Sequence, residues 1–220
     1  MKPVRKEGTM PGDTVYLYVL DTMADWEPGF ATAELNTGRF FRPGAPRLRV
    51  RTCAATRKPV TSMGGLRIEP DVEVAEIRPE EAALLLLPGG ETWLEPGHAA
   101  VLAKAREFLA AGVPVAAICG ATLALAGAGL LDDRAHTSNA PEFLQQFCPG
   151  YAGGPLYQAG PAVTGGDVVT ASGTAPLEFA VEIFKRLDVF SEETLEAWYK
   201  LHKLKEAKYF YALMESIGQK

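Results

Sequence analysis

Val115-Ala116-Ala117-Ile118-Cys119-Gly120-Ala121-Thr122-Leu123-Ala124-Leu125 changes its period in the middle. The first half is short, apolar and preceded by Gly112 and Pro114, which reads as a buried strand. The second half, Leu123 through Ala126, is built of good helix formers. Cys119 stands at the changeover, among the small residues Ala117, Gly120 and Ala121. Small-x-nucleophile-x-small on a sharp strand-to-helix turn is the nucleophile-elbow pattern, here with Cys in place of Ser. A thiol in that place feels the positive end of the helix dipole and the unpaired amides of the first turn, and both favour the thiolate. The amides of Gly120 and Ala121 are candidate oxyanion donors. A free cysteine in an arbitrary setting is more commonly a small buried hydrophobe. The strand-elbow-helix setting favours the reactive alternative.

Outward from the elbow, Val15-Tyr16-Leu17-Tyr18-Val19-Leu20 reads as a first central strand, β-rich and nearly continuous in apolar character. Asp21 to Asp25 form the loop at its carboxyl end. Glu27 then opens a helix running to about Asn36, with Pro28 in its first turn. Leu48 to Ala54 alternates with Arg47, Arg49 and Arg51, as in an edge-like strand with a solvated basic face; Cys53 reads as packed. Ala83 to Leu87 is another buried strand, ended by Pro88-Gly89-Gly90, and a helix follows from about His98 to Ala111. Ala135 to Ser138 reads as a short strand, and Ala162 to Thr170 as a hairpin turning at Gly165-Gly166. Asn139 and Thr174 are positioned to cap the helices that start near Pro141 and Pro176. Ser191-Glu192-Glu193 opens a helical region to Gly218. Strand-helix alternation predicts an α/β fold, a mostly parallel central sheet with helices on both faces.

A chain of 220 residues with 47% hydrophobic content suits one α/β domain with a full core. The net charge of -5 argues against a nucleic-acid surface, which needs clustered Lys and Arg. No apolar run is long enough to span a bilayer, so no membrane partner is expected. The 3 cysteines have no paired spacing, which points to free thiols in a reducing, cytoplasmic setting and to no metal site. No cofactor is called for. Residues 1–13 are polar, lack a secretory apolar core and are expected to form a loose tail.

In a parallel sheet the carboxyl ends of the strands share one edge. Cys119, Glu27 and Pro88-Gly89-Gly90 follow three different strands, so a thiol, a carboxyl and a Gly90 amide are expected to converge there. Like charge and burial both push such a carboxyl toward its neutral form. A protonated Glu27 can then donate to Cys119 Sγ and hold it as thiolate. The alternative for Glu27 is a first-turn carboxylate on the helix dipole. Asp21 and Asp25 are weaker candidates in the same loop, with solvation their ordinary role. His136 is the one histidine near the expected edge; His98 and His202 are expected at the surface.

Asp25-Trp26-Glu27, Leu87-Pro88-Gly89-Gly90, Ala117-Ile118-Cys119-Gly120-Ala121 and Ala171-Ser172-Gly173-Thr174-Ala175, in that order, resemble the DJ-1/PfpI superfamily of class I glutamine-amidotransferase-like proteins. The resemblance implies a flavodoxin-like three-layer sandwich over residues 14–188, a reactive Cys119 with Glu27 bonded to it, and a homodimer. Residues 189–220 would be an added helical extension, packed on the domain or on a dimer face. Members regarded as proteases carry His directly after the Cys, where this chain has Gly120. DJ-1-like members carry His in the segment where this chain has Asn139. The His-x-Glu pair of true glutamine amidotransferases has no counterpart near Glu178. Two functions are therefore expected. One is a small-molecule hydrolase, amidase-like, or a lyase or hydratase, acting through Cys119 and Glu27. The other is a redox or stress-response protein whose Cys119 is oxidised without turnover.

Overall fold

The central strand β1 (Thr14–Tyr18) is buried along its whole length, as its apolar and aromatic run from Val15 favours. It leads through α1 (Trp26–Thr37) to β2 (Arg49–Ala54), then through a small antiparallel pair, β3 (Val60–Thr61) and β4 (Arg67–Ile68), to the short β5 (Val72–Glu73). After these come β6 (Ala82–Leu87), α2 (Ala99–Ala110), β7 (Val115–Ile118), α3 (Gly120–Gly127) and α4 (Pro141–Phe147). The hairpin β8 (Ala162–Gly165) and β9 (Val168–Ala171) precedes α5 (Pro176–Leu187), α6 (Glu192–Leu204) and α7 (Ala207–Gly218). This computed structural model describes residues 12–218. Most of the expected N-terminal tail thus lies outside the described residues. Gly12 and Asp13 are described, and Asp13 is tied to the sheet by an ion pair with Arg49 at 3.0 Å.

The main sheet has seven strands in the order β5-β2-β1-β6-β7-β9-β8, and only β8 runs antiparallel to its neighbour. Register aligns Tyr18 with Cys53, Leu87 with Ala117, and Ile118 with Ala171. The carboxyl ends of β1, β6, β7 and β9 therefore form one edge. The chain leaves β1 toward β2 on one side and returns as β6 on the other, so β1 and β6 flank the switch point where open α/β sheets place ligands. The expected flavodoxin-like sandwich is the observed fold.

Several local expectations change. Ala135–Ser138 forms no strand; His136 makes an isolated bridge to Tyr157. Neither Asn139 nor Thr174 caps a helix, because Ala140 and Ala175 occupy the cap positions of α4 and α5. Ser191 does cap α6, accepting from the Thr194 amide. The C-terminal helical region breaks at Lys205, which adopts a left-handed φ of 60°. Neither remaining histidine is free at the surface. His98 is buried between the Tyr18 hydroxyl at 2.9 Å and Thr92 Oγ1 at 3.0 Å, against the Trp93 ring. His202 bonds the Trp198 carbonyl and packs on Phe30 and Trp198. The C-terminal extension packs on the domain: Trp198 of α6 is fully buried against Phe30, Phe184 and Phe190 and donates to Glu34 at 3.1 Å.

Candidate active site

Cys119 occupies the junction of β7 and α3 with φ 57° and ψ -123°, a backbone conformation that L-residues rarely adopt. Such an outlier costs about 1–3 kcal/mol and persists only where neighbours hold it. Here they do. The Cys119 amide donates to Ala171 O at 3.0 Å, and the Cys119 carbonyl accepts both the Thr122 amide at 3.1 Å and the Thr122 hydroxyl at 2.6 Å. The turn lifts the sulfur above the sheet edge, half-buried, whereas Cys53 and Cys148 are buried.

Glu27 reaches the same point from the first turn of α1. Its side chain is fully buried. Oε2 accepts the Gly89 amide at 2.5 Å, and Oε1 has no hydrogen-bond partner among the described residues. Gly89, not Gly90, is thus the Pro-Gly-Gly residue that meets the carboxyl. Two absent side chains make room for the pair. A Cβ on Gly89 would stand 2.5 Å from Glu27 Oε2 and 2.8 Å from Cys119 Cβ. A Cβ on Gly173 would stand 2.8 Å from Cys119 Sγ and 3.0 Å from Glu27 Oε1. Sulfur and orphan oxygen therefore crowd one point beneath the Gly173 strap.

Burial raises the Glu27 carboxyl above its ordinary range, against the opposing pull of the Gly89 amide and the Cys119 contact. Burial also raises the Cys119 thiol; the Asn139 amide and Gly120 N–H act against it, and a charged Glu27 adds to it. The expected ionising effect of the helix end is therefore outweighed by burial. The two groups titrate as a pair, and the proton that one gives up is the proton that favours the other's anion.

Asn139 stands beside the sulfur, with Nδ2 3.4 Å from Sγ. Its Oδ1 accepts the Gly173 amide at 2.8 Å and the Ser172 hydroxyl at 3.4 Å. Trp26, half-exposed at the rim, donates Nε1–H to Gly173 O at 3.3 Å. Gly120 and Ala121 begin α3, as an oxyanion site at Cys119 needs. Gly90 faces Gly120 mainly through its carbonyl, which is 2.8 Å from the point a Gly120 Cβ would take, against 3.6 Å for its nitrogen. Two candidates are not brought to the thiol. His136 is fully buried, with Nδ1 on Arg134 O at 2.8 Å and Nε2 on the Tyr151 hydroxyl at 2.5 Å, so neither ring nitrogen is available. Asp25 accepts from Ser62 Oγ at 2.5 Å and the Gly64 amide at 2.6 Å, which lower its pKa and fasten the β3–β4 hairpin to the β1–α1 loop. Trp26, Ser172, Gly173 and Thr122 had no assigned role from sequence. Ser172-Gly173 stood in a matching motif, but nothing local marks the strap they form. Among the described residues no group of three or more His, Cys, Asp or Glu is placed to hold a metal ion.

The family model for the DJ-1/PfpI family matches residues 13–186. The chain belongs to the DJ-1/PfpI family. A Bacillus subtilis member named as an uncharacterized protease, YoaZ, is 48% identical over 93% of this chain and 98% of its own. The crystal structure of a thiJ/pfpI family protein from Bacillus anthracis is similar at TM-score 0.91 and 48% identity, over 94% of this chain and 98% of that one. The DJ-1 superfamily protein Atu0886 from Agrobacterium tumefaciens is similar at TM-score 0.77 and 35% identity, over 87% and 98%. The two likenesses at 48% identity each cover more of the chain than residues 13–186 and so extend past the matched domain.

Proposed function

We propose that this DJ-1/PfpI protein is an enzyme that adds Cys119 covalently to an electrophilic carbon of a small molecule, with Glu27 as its proton donor and acceptor. The observation that carries the reading is the orphan Oε1 of a fully buried Glu27, crowded with Sγ under Gly173. With the shared proton on Glu27, Cys119 is the thiolate. Sγ bonds to the terminal carbon of an isonitrile, which also takes the Glu27 proton, or to a carbonyl carbon, whose π pair moves to oxygen. The Gly120 and Ala121 amides hold that charge, and Glu27 delivers its proton there. Water then attacks the adduct carbon and gives a proton to Glu27 as the C–S bond breaks and Cys119 leaves as thiolate; reversal of the addition likewise returns the proton to Glu27.

The word protease belongs to YoaZ. Amide cleavage needs an acid for a poor leaving group, and in this chain that duty falls to Glu27, because His136 is engaged elsewhere. Hydration or lyase chemistry on reactive aldehydes or isonitriles asks less of a single carboxyl, and it is the preferred class. The test is turnover of a panel containing a small reactive aldehyde, an isonitrile, an activated ester and a peptide amide. Loss of activity in both Cys119→Ala and Glu27→Gln supports the assignment; a rate that survives Cys119→Ala removes it.

A redox role without turnover is the second reading, favoured by one fact: Cys119 alone of the three thiols is not buried. Mild peroxide followed by mass spectrometry decides it, with first oxidation at Cys53 or Cys148 counting against it. The resemblance also implies a homodimer, which light scattering of the eluting protein tests.

A further inference from the structure

We propose that Asn139 is the positioning residue of the thiol: a non-titrating donor, locked in orientation by the Gly173 strap, that holds Cys119 Sγ in place. The orientation follows from hydrogen-bond chemistry. The Gly173 amide, 2.8 Å from Oδ1, is a donor, as is the Ser172 hydroxyl beside it. Turning the amide over would set NH2 against N–H and the carbonyl oxygen against sulfur, losing both partners. The oxygen must face the strap, so Nδ2–H must face Sγ, 3.4 Å away. The strap is itself fixed from the opposite side, where Trp26 Nε1–H donates to Gly173 O. Asn139 gives up the helix cap open to it, and Ala140 takes that position with no side-chain bond. An amide carries no charge at any ordinary pH. Its help to the thiolate is therefore constant, and the pH response of the nucleophile is left to Cys119 and Glu27 alone.

The inference deepens the reading above and rests on Cys119 being the reactive thiol. It is tested without turnover, by the rate of Cys119 alkylation with iodoacetamide from pH 5 to 10 in the full chain. Asn139→Asp keeps an acceptor for the Gly173 amide but faces the sulfur with a charge. It is expected to move the inflection up by about one pH unit, ~10-fold in reactive thiolate at pH 7. Asn139→His is expected to add a second inflection near pH ~6.5, because its donor titrates. An Asn139→Asp profile that superimposes on the native one overturns the proposal. If that variant does not fold, Asn139→Ala, which only trims an exposed side chain, decides by the same upward movement or its absence. A profile that responds to Asn139→Asp but not to Glu27→Gln keeps this assignment and removes Glu27 from the pair; the reverse removes Asn139 alone.

Discussion

Gly173 has no room for a side chain. A methyl at position 173 would meet Sγ at 2.8 Å, Cys119 Cβ at 2.9 Å and Glu27 Oε1 at 3.0 Å. Gly173→Ala must push the strap away from Trp26 and Asn139 or displace the carboxyl. Overpacking of this kind costs about 1–3 kcal/mol. Gly29→Ala, in α1 where a Cβ meets nothing within 4 Å, is the matched control and is expected to stabilise by about 0.5–1 kcal/mol. Urea unfolding of the two variants measures both, and equal effects would mean that the strap is not tight. Glu27 gives a pH signature of opposite sign to the usual paired carboxylate. Its folded pKa lies above its ordinary value of 4.5, so the native state holds the proton more firmly than the unfolded chain. The stability this adds is fully present below pH 4.5 and is lost as pH rises through the native value. Gln cannot ionise. Glu27→Gln is therefore expected to gain on the native protein between pH 4 and 7, read from urea midpoints across that range. A difference flat with pH would show a carboxyl that titrates alike folded and unfolded.

Among the elements, the β7–α3 elbow depends on one hydroxyl. Thr122 Oγ1 donates to the Cys119 carbonyl and pairs with Ser138 Oγ, each at 2.6 Å. Thr122→Val keeps the shape and leaves both partners short of a bond, at a cost of about 1–3 kcal/mol. Because the clamp acts on the strained Cys119 backbone, iodoacetamide alkylation should slow along with the fall in urea midpoint. A loss of stability with unchanged alkylation would make Thr122 a packing residue only. The elbow was legible in sequence because it is local: apolar strand, small residues and helix formers all fall within eleven positions of the chain. The sheet was legible for the same reason, since buried parallel strands spell continuous apolar runs. What failed was what depends on distant partners. His98 looks like a surface histidine until β1 brings Tyr18, 80 positions away, to its Nδ1. His136 looks available until Tyr151 takes its Nε2. Asn139 looks like a helix cap because Asn usually is one; the thiol and the Gly173 amide compete for the same side chain and win it. Glu27 and Cys119 stand near one point because strand order, not a side-chain partner, brings the ends of β1 and β7 to one edge.

At the scale of the whole molecule, the C-terminal helices divide into one that completes the core and one that covers it. α6 closes the layer outside α1 and α5 through Trp198, which is fully buried, meets the Phe30, Phe184 and Phe190 rings edge-to-face and gives its N–H to Glu34. Glu34, itself 3% exposed, shares that carboxylate with Arg39. Removing the indole leaves a cavity and a buried acid with one partner fewer. Trp198→Ala is expected to cost about 3–5 kcal/mol, and Trp198→Phe less, since a ring still fills most of the space although the N–H is lost. α7 buries only Leu213 and leaves Phe210 and Tyr211 exposed; its polar link to α6 runs from Thr194 to Ser216 at 3.0 Å. Ending the chain at Leu204 should therefore lower the melting temperature by a few degrees and leave Cys119 alkylation as it was. Ending it at Asp188 uncovers Phe184 and Glu34 together, and should give a chain that binds a hydrophobic dye and melts without cooperativity. If the shorter chain instead melts as sharply as the longer one, the fold is complete at Asp188 and the helices beyond it serve another surface. Circular dichroism melts of the two truncations, with the alkylation rate taken on each, separate these outcomes.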